Sequence, residues 1–197
     1  GRLMTGRIGK ETKFDTAIHA SLALISACAR AGDNCGLVVF GRRVRKYLPP
    51  KRGVEHVDAV LEALHDLEPE LIEPSYARGF QFIASNSKKR AFVVILTDLV
   101  DKDSSRELLT SLKLLRPRHL PLVVTIGDRD LNAAVSQAPT EIKDVFAQSA
   151  AEEIIHQRET ALRMVETLGG LAIDVTTETL APRLLESYLK VKERGML

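Results

Sequence analysis

Two apolar runs in this sequence end in clusters of aspartate, and those clusters are where chemistry could reside. "VVILTDLVDKD" (93–103) passes from Val, Ile and Leu into Thr97-Asp98, then adds Asp101 and Asp103. "LPLVVTIGDRD" (120–130) repeats the arrangement with Asp128 and Asp130. A hard divalent cation such as Mg²⁺ takes oxygen ligands, so a carboxylate beside a hydroxyl is a suitable donor pair. Asp98, Asp101 and Asp128 around Mg²⁺ would outline a phosphoester hydrolase. The acids also have a structural reading. Ser104-Ser105-Arg106-Glu107 fits the S-x-x-E capping box, and acids just ahead of a helix suit its positive end. On that reading Asp101 and Asp103 only help to start a helix, while Asp98 keeps a claim to function.

Other chemistries find less support. Cys28 and Cys35 have no base near them in sequence, and no G-x-S-x-G elbow, P-loop or strand-bound G-x-G-x-x-G occurs. Of the five histidines, His19, His56, His65 and His156 fall on expected helices and His119 precedes an apolar strand, with no third ligand in view of any pair. Structural histidines are the expectation. "GRRVRKYLPPKRG" (41–53) gathers Arg42, Arg43, Arg45, Lys46, Lys51 and Arg52, a patch suited to an acidic protein surface or anionic headgroups. Charges on an edge strand also discourage association between sheets, which is the plainer explanation. With Tyr47 as its sole aromatic residue, the stretch lacks the stacking platform of a single-strand binder, and no nucleic acid is expected.

These residues need a scaffold, and the periodicity supplies one. Of 197 residues, 45% are hydrophobic and 27% charged, with a net charge of +2, which describes one ordinary globular domain (1–197). Two cysteines without a CxxC point to reduced thiols. No apolar run approaches the roughly 20 residues of a membrane span. "GRLMTGRIGK" lacks the core of a signal peptide and an initial Met, so a fragment of a longer chain is expected. Helical spacing predicts helices over 13–30, with Thr12 and Asp15 as a capping pair and Gly32 as the stop, and over 54–67 and 76–84. Further helices are expected over 105–115, 140–168 and 179–194. Val145, Phe146, Ile154, Ile155, Leu162 and Val165 should form the inner face of the fifth. Apolar runs predict strands at 35–41, buried on both faces, and at 91–96, 120–126 and 171–175. Residues 42–50 should return as an antiparallel edge hairpin. Strands alternating with helices give a doubly wound, mostly parallel α/β sheet.

"KFDTAIHASLALISACARAGDNCGLVVFG", "YLPPKRG", "VVILTDLVD", "RHLPLVVTIGD" and "LLESYLKVKERG" together resemble the C-terminal half of proteins grouped as domain of unknown function 58 (DUF58). That family is placed with the von Willebrand factor A-like domains, of Rossmann-type topology. The resemblance implies a metal-ion-dependent adhesion site built from an Asp-x-Ser-x-Ser turn, a middle-loop hydroxyl and an Asp in a Thr-Asp step. Asp98 matches the last and Ser75 the hydroxyl. The turn falls at "GRLM", where Gly1 and Leu3 stand at the serine positions and the leading Asp lies upstream, so the site is degenerate and at most a weak Mg²⁺ site. It further implies that the first, central strand belongs between 35–41 and 91–96 and is missing from this fragment. Those neighbours should then pair directly, or the sheet should be exchanged or loosened.

The function expected from all this is a non-enzymatic interaction module with no required cofactor, meeting another protein through Thr97, Asp98, Ser75 and Asp128, and through Arg42, Arg43 and Arg45. The resemblance adds a bacterial parent protein anchored in the membrane by segments outside this chain, a position at the cytoplasmic face, and a MoxR-type AAA+ ATPase as partner. A Mg²⁺-dependent hydrolase is the alternative.

Overall fold

The computed structural model describes residues 4, 7–8, 11–68, 72–98, 102–127, 135–136 and 141–196. Arg7–Ile8 (β1) and Glu11–Thr12 (β2) form a short antiparallel ladder that leads into helix α1, Lys13–Arg30. The expected cap is present. The Thr12 side chain accepts from the Asp15 N–H at 3.1 Å, and the Asp15 carboxylate accepts from the Thr12 N–H at 2.8 Å. Gly32, with φ of +72°, takes the chain out of the helix in the left-handed conformation that glycine adopts freely. Cys35–Phe40 (β3) then pairs antiparallel with Val44–Lys51 (β4). There follow Val54–His65 (α2), Tyr76–Asn86 (α3), Phe92–Thr97 (β5), Lys102–Leu112 (α4), Leu120–Ile126 (β6), Ile142–Thr167 (α5), Leu171–Val175 (β7) and Leu180–Glu193 (α6).

The architecture is mixed α/β, with a parallel sheet in the order β5-β6-β7 and a separate antiparallel pair β3-β4. β6 is central, and all seven of its residues are buried, as a near-continuous apolar strand between two helical layers must be. On one face Tyr76, Phe80, Leu108, Leu112 and Val165 pack over Ile95 and Val123. On the other, Ala17, Ala20, Leu180 and Leu184 cover Leu122, Val124 and Ile126. The β3-β4 pair has its own cluster against α1 and α2, with Ile25, Val60 and Leu64 over Leu37, Val39 and Leu48.

The two sheets do not join. Among the described residues β3 and β5, for which direct pairing or an exchanged or loosened sheet is expected, make no direct pair. This explains a second departure. Although β3 is as apolar as β6, residues 37–40 are only half-buried, since among the described residues the strand has a neighbour on one side alone.

Two helices also differ from expectation. α4 begins by Lys102, so Ser104 and Glu107 lie within the helix rather than at its start, while Asp103 sits in the first turn. In α5 the inner face is carried by Ala151, Arg158, Ala161 and Val165, with Ile154, Ile155 and Leu162 half-buried beside it. Val145 and Phe146, expected on that face, are instead 49% and 73% exposed. No helix among the described residues is long and apolar enough to cross a membrane.

His119, just ahead of β6, is 1% exposed, and neither ring nitrogen has a hydrogen-bond partner among the described residues. Burial, with a smaller contribution from Arg118, holds its pKa below the ordinary value of 6.5. A depressed histidine contributes stability that is complete above the unfolded pKa and is lost as pH falls towards the folded one, since the unfolded chain takes up the proton first. The melting temperature should therefore drop as pH falls from 7.5 to 5, and His119→Phe should flatten that slope. Scanning calorimetry across that range checks it.

Candidate functional site

The carboxyl ends of parallel strands are where an open α/β sheet presents side chains for binding. Strand register decides which side chains those are. Thr97 on β5 pairs with Thr125 on β6, and Thr125 pairs with Asp174 on β7, so the three form one row. Asp98 follows one residue further along β5. Its side chain is 1% exposed.

Two cations neutralise Asp98. The Lys13 ammonium donates to Oδ2 at 2.7 Å, and a guanidinium nitrogen of Arg158 stands 3.6 Å from Oδ1. Both are themselves buried, their side chains 6% and 4% exposed. Arg158 continues to Asp174, 3.8 Å away, and the Thr125 hydroxyl donates to the other oxygen of Asp174 at 2.7 Å. The set is therefore two acids and two bases, carrying α1, β5, α5 and β7 to one point, with Asp174 as its 41%-exposed rim. Gly127, after β6, makes room for it. A Cβ there would stand 3.1 Å from the Arg158 guanidinium. The Tyr76 hydroxyl meets the Thr97 hydroxyl at 2.5 Å, fixing the start of α3 to the end of β5.

Of the residues expected to form the site, Thr97 and Asp98 come together and are buried, each 5% exposed. Ser75 is the N-cap residue of α3, and its N–H donates to the Gly41 carbonyl at 3.0 Å. The residue that reaches Thr97 from that helix is its neighbour Tyr76. Asp101 and Asp128 lie outside the described residues. Arg42, Arg43 and Arg45 are exposed around the β3-β4 turn, Arg45 also donating to the Glu68 carbonyl at 3.3 Å. Among the described residues no three His, Cys, Asp or Glu side chains cluster as a metal set.

Lys13, Arg158, Thr125 and Asp174 were not expected, yet two of them leave a trace in the sequence. A lysine in the first turn opposes the helix dipole, which favours acids there. Arg158 falls midway between Ala151 and Val165, seven residues from each, on a face that is otherwise apolar. A charge in either place implies a buried partner.

Comparison with known proteins agrees with this architecture. Residues 4–165 match the family described as Protein of unknown function DUF58. The chain belongs to that family. No curated protein matches the DUF58 chain. It resembles the crystal structure of an aerotolerance-related membrane protein from Bacteroides fragilis NCTC 9343 carrying multiple mutations to serine. That likeness covers 98% of the DUF58 chain and 94% of the other, with a TM-score of 0.56 at 14% identity, so it is a likeness of fold.

Removing one member of a buried ion pair leaves the other charged and desolvated, at a cost of about 3–5 kcal/mol. Asp98→Ala and Lys13→Ala should each lose stability on that scale in urea denaturation. The double variant should lose less than the two losses added together, since it strands neither charge of the pair.

Proposed function

We propose that this DUF58 chain is a non-enzymatic interaction module of the von Willebrand factor A-like kind, working without a bound metal ion in a membrane-associated bacterial protein. The observation that carries the proposal is the charge balance at Asp98. The place a cation would take beside that carboxylate is held by the Lys13 ammonium at 2.7 Å, with the Arg158 guanidinium close behind. A divalent ion would have to displace one buried cation and then stand beside another in a poorly screened interior, and each step is unfavourable. Asp174, which shares Arg158 with Asp98, is already engaged with the Thr125 hydroxyl as well.

Such a neutralised network is suited to holding strand ends and helix starts in place. It does not activate water or stabilise a developing charge. Thr97 and Asp98 accordingly shape the upper face from beneath, with Ser75 at the head of α3, and the contact itself falls to exposed groups. Arg42, Arg43 and Arg45 offer one such surface, whose complement is an acidic protein face. A MoxR-type AAA+ ATPase is the partner implied by the family resemblance. A membrane-anchored parent is in keeping with the Bacteroides fragilis neighbour, which is described as a membrane protein, and the position at the cytoplasmic face is implied by the family resemblance alone.

Calorimetric titration with Mg²⁺ and Mn²⁺, together with a p-nitrophenyl phosphate assay, separates this reading from a hydrolase. Neither binding heat nor turnover is expected. Micromolar binding with turnover would overturn the proposal. Binding of a MoxR-type ATPase from the same organism, followed by interferometry, should weaken about tenfold when Arg42, Arg43 and Arg45 are changed to Glu, a change of about 1.4 kcal/mol.

A further inference from the structure

The edge of the parallel sheet opposite Asp98 carries charge of one sign. Residues 85–91, "SNSKKRA", lead into β5, and residues 113–119, "KLLRPRH", lead into β6. Between them these turns hold Lys88, Lys89, Arg90, Lys113, Arg116 and Arg118, and no acid. Strand register makes the two turns neighbours. Phe92 pairs with Leu120, whose N–H donates to the Ala91 carbonyl at 2.9 Å. Arg118 reaches across to the carbonyls of Ala84 and Ser87 at 3.3 and 3.0 Å. All six cations are exposed.

Cations are favoured where helices end, and two of these have that role. Arg118 serves the end of α3, and the Arg116 Nε–H donates to the Leu168 carbonyl at the end of α5, at 2.8 Å. A carbonyl satisfies a hydrogen bond without cancelling a charge. The side chains of Lys88, Lys89, Arg90 and Lys113 make no hydrogen bond with a described residue, and none of the six forms an ion pair with one. Cations elsewhere on the surface are balanced differently. Arg106, Lys143, Arg183, Lys190 and Lys192 each have a carboxylate at 3.9 Å or less.

The patch also holds an apolar side chain. Leu114 stands 44% exposed between Lys113 and Arg116, while its neighbour Leu115 is fully buried. A leucine left among cations suits a lipid interface, where headgroup phosphates take the charges and the acyl boundary takes the side chain. Three of the six cations are lysines, compact charges on flexible stems that follow fluid headgroups. Interfaces between proteins, by contrast, are poor in lysine. Neither turn holds a Phe, Tyr or Trp on which a nucleic-acid base could stack.

We propose that this edge docks on an anionic lipid surface through the turns ahead of β5 and β6. The proposal rests on the reading of the parent protein as membrane-associated and adds which face meets the bilayer. The β3-β4 turn belongs to the other edge, because the Gly41 carbonyl accepts from Ser75, next to the Tyr76 that bonds Thr97 at the end of β5. With the six cations on the headgroups, Arg42, Arg43 and Arg45 are held away from the bilayer, where a protein partner can reach them.

Co-sedimentation with vesicles of phosphatidylglycerol and phosphatidylcholine in equal parts, against phosphatidylcholine alone, tests the proposal. The chain should partition onto the anionic vesicles only, and added salt should release it, because ions screen exposed charge. Each cation at such a surface contributes about fivefold, so Lys88→Glu, Lys89→Glu and Arg90→Glu together should lower partition by at least about a hundredfold. Arg106→Glu, Lys143→Glu and Arg183→Glu make the same change in net charge near the starts of α4, α5 and α6. That variant should bind within about threefold of the unchanged chain, since its charges lie beyond the screening distance from the bilayer. No partition onto anionic vesicles, or an equal loss in both triple variants, would overturn the proposal. So would tighter binding of a duplex oligonucleotide through the same residues, which would make the edge a nucleic-acid surface. Failure here differs from failure of the membrane-associated reading itself, whose sign is a parent protein recovered in the soluble fraction of broken cells.

Discussion

The rest of this structure depends on one buried carboxylate. Asp98 ends the first strand of the parallel sheet and fixes two long cations, one at the start of α1 and one in the middle of α5. Those helices lie in opposite layers, α1 with the cluster around Leu122 and Val124, α5 with the cluster around Ile95 and Val123. The carboxylate thus ties both layers to the sheet edge, where apolar packing alone fixes position less sharply. Hydrophobic burial is non-directional, whereas an ammonium at 2.7 Å from one oxygen fixes a helix start to within a fraction of an ångström. Buried charge is an expensive way to gain this, which is why each charge has an opposite within reach.

The same carboxylate explains how the β3-β4 pair stays attached. With no described strand in the gap between β3 and β5, the pair is joined to the parallel sheet through helices. Two bonds act at the mouth of the gap, Lys13 to Asp98 from α1 and Tyr76 to Thr97 from α3. At the far end the Tyr188 hydroxyl donates to Asp33, and Lys192 reaches the same carboxylate at 2.7 Å, linking α6 to the turn before β3. These two partners hold the Asp33 carboxyl below its usual range. Polar links thus sit at both ends of an apolar gap, where the continuous hydrogen bonding of a sheet would otherwise do the work.

What could be read from the sequence follows from how local each signal is. The Thr12–Asp15 cap, the span of α1, the hairpin after Phe40 and the fully apolar β6 all depend on contacts within a few residues, and each is where periodicity and turn chemistry put it. The start of α4 was misplaced because a capping box lies in the sequence one turn inside the helix. Phe146 reads as interior because periodicity gives the face of a helix but not what lies beneath each of its turns. Asp98 was singled out by type and position. Its partners lie 85 and 60 residues away, and Lys13 and Arg158 were visible only as charges in places that disfavour charge.

That last contrast changes what the aspartate clusters mean. An acid at the carboxyl end of a parallel strand invites a metal reading because the location is right for ligands and the donor is hard. Location, however, is shared by structural and chemical acids, and charge balance separates them. An acid kept for a metal is left with a deficit of positive charge for the ion to fill. Among the described residues two cations face Asp98 from opposite helical layers. Asp174, its counterpart two strands away, shares Arg158 and takes a hydroxyl besides. Among the described residues two acids and two cations balance here, and the arginines around the β3-β4 turn stand exposed.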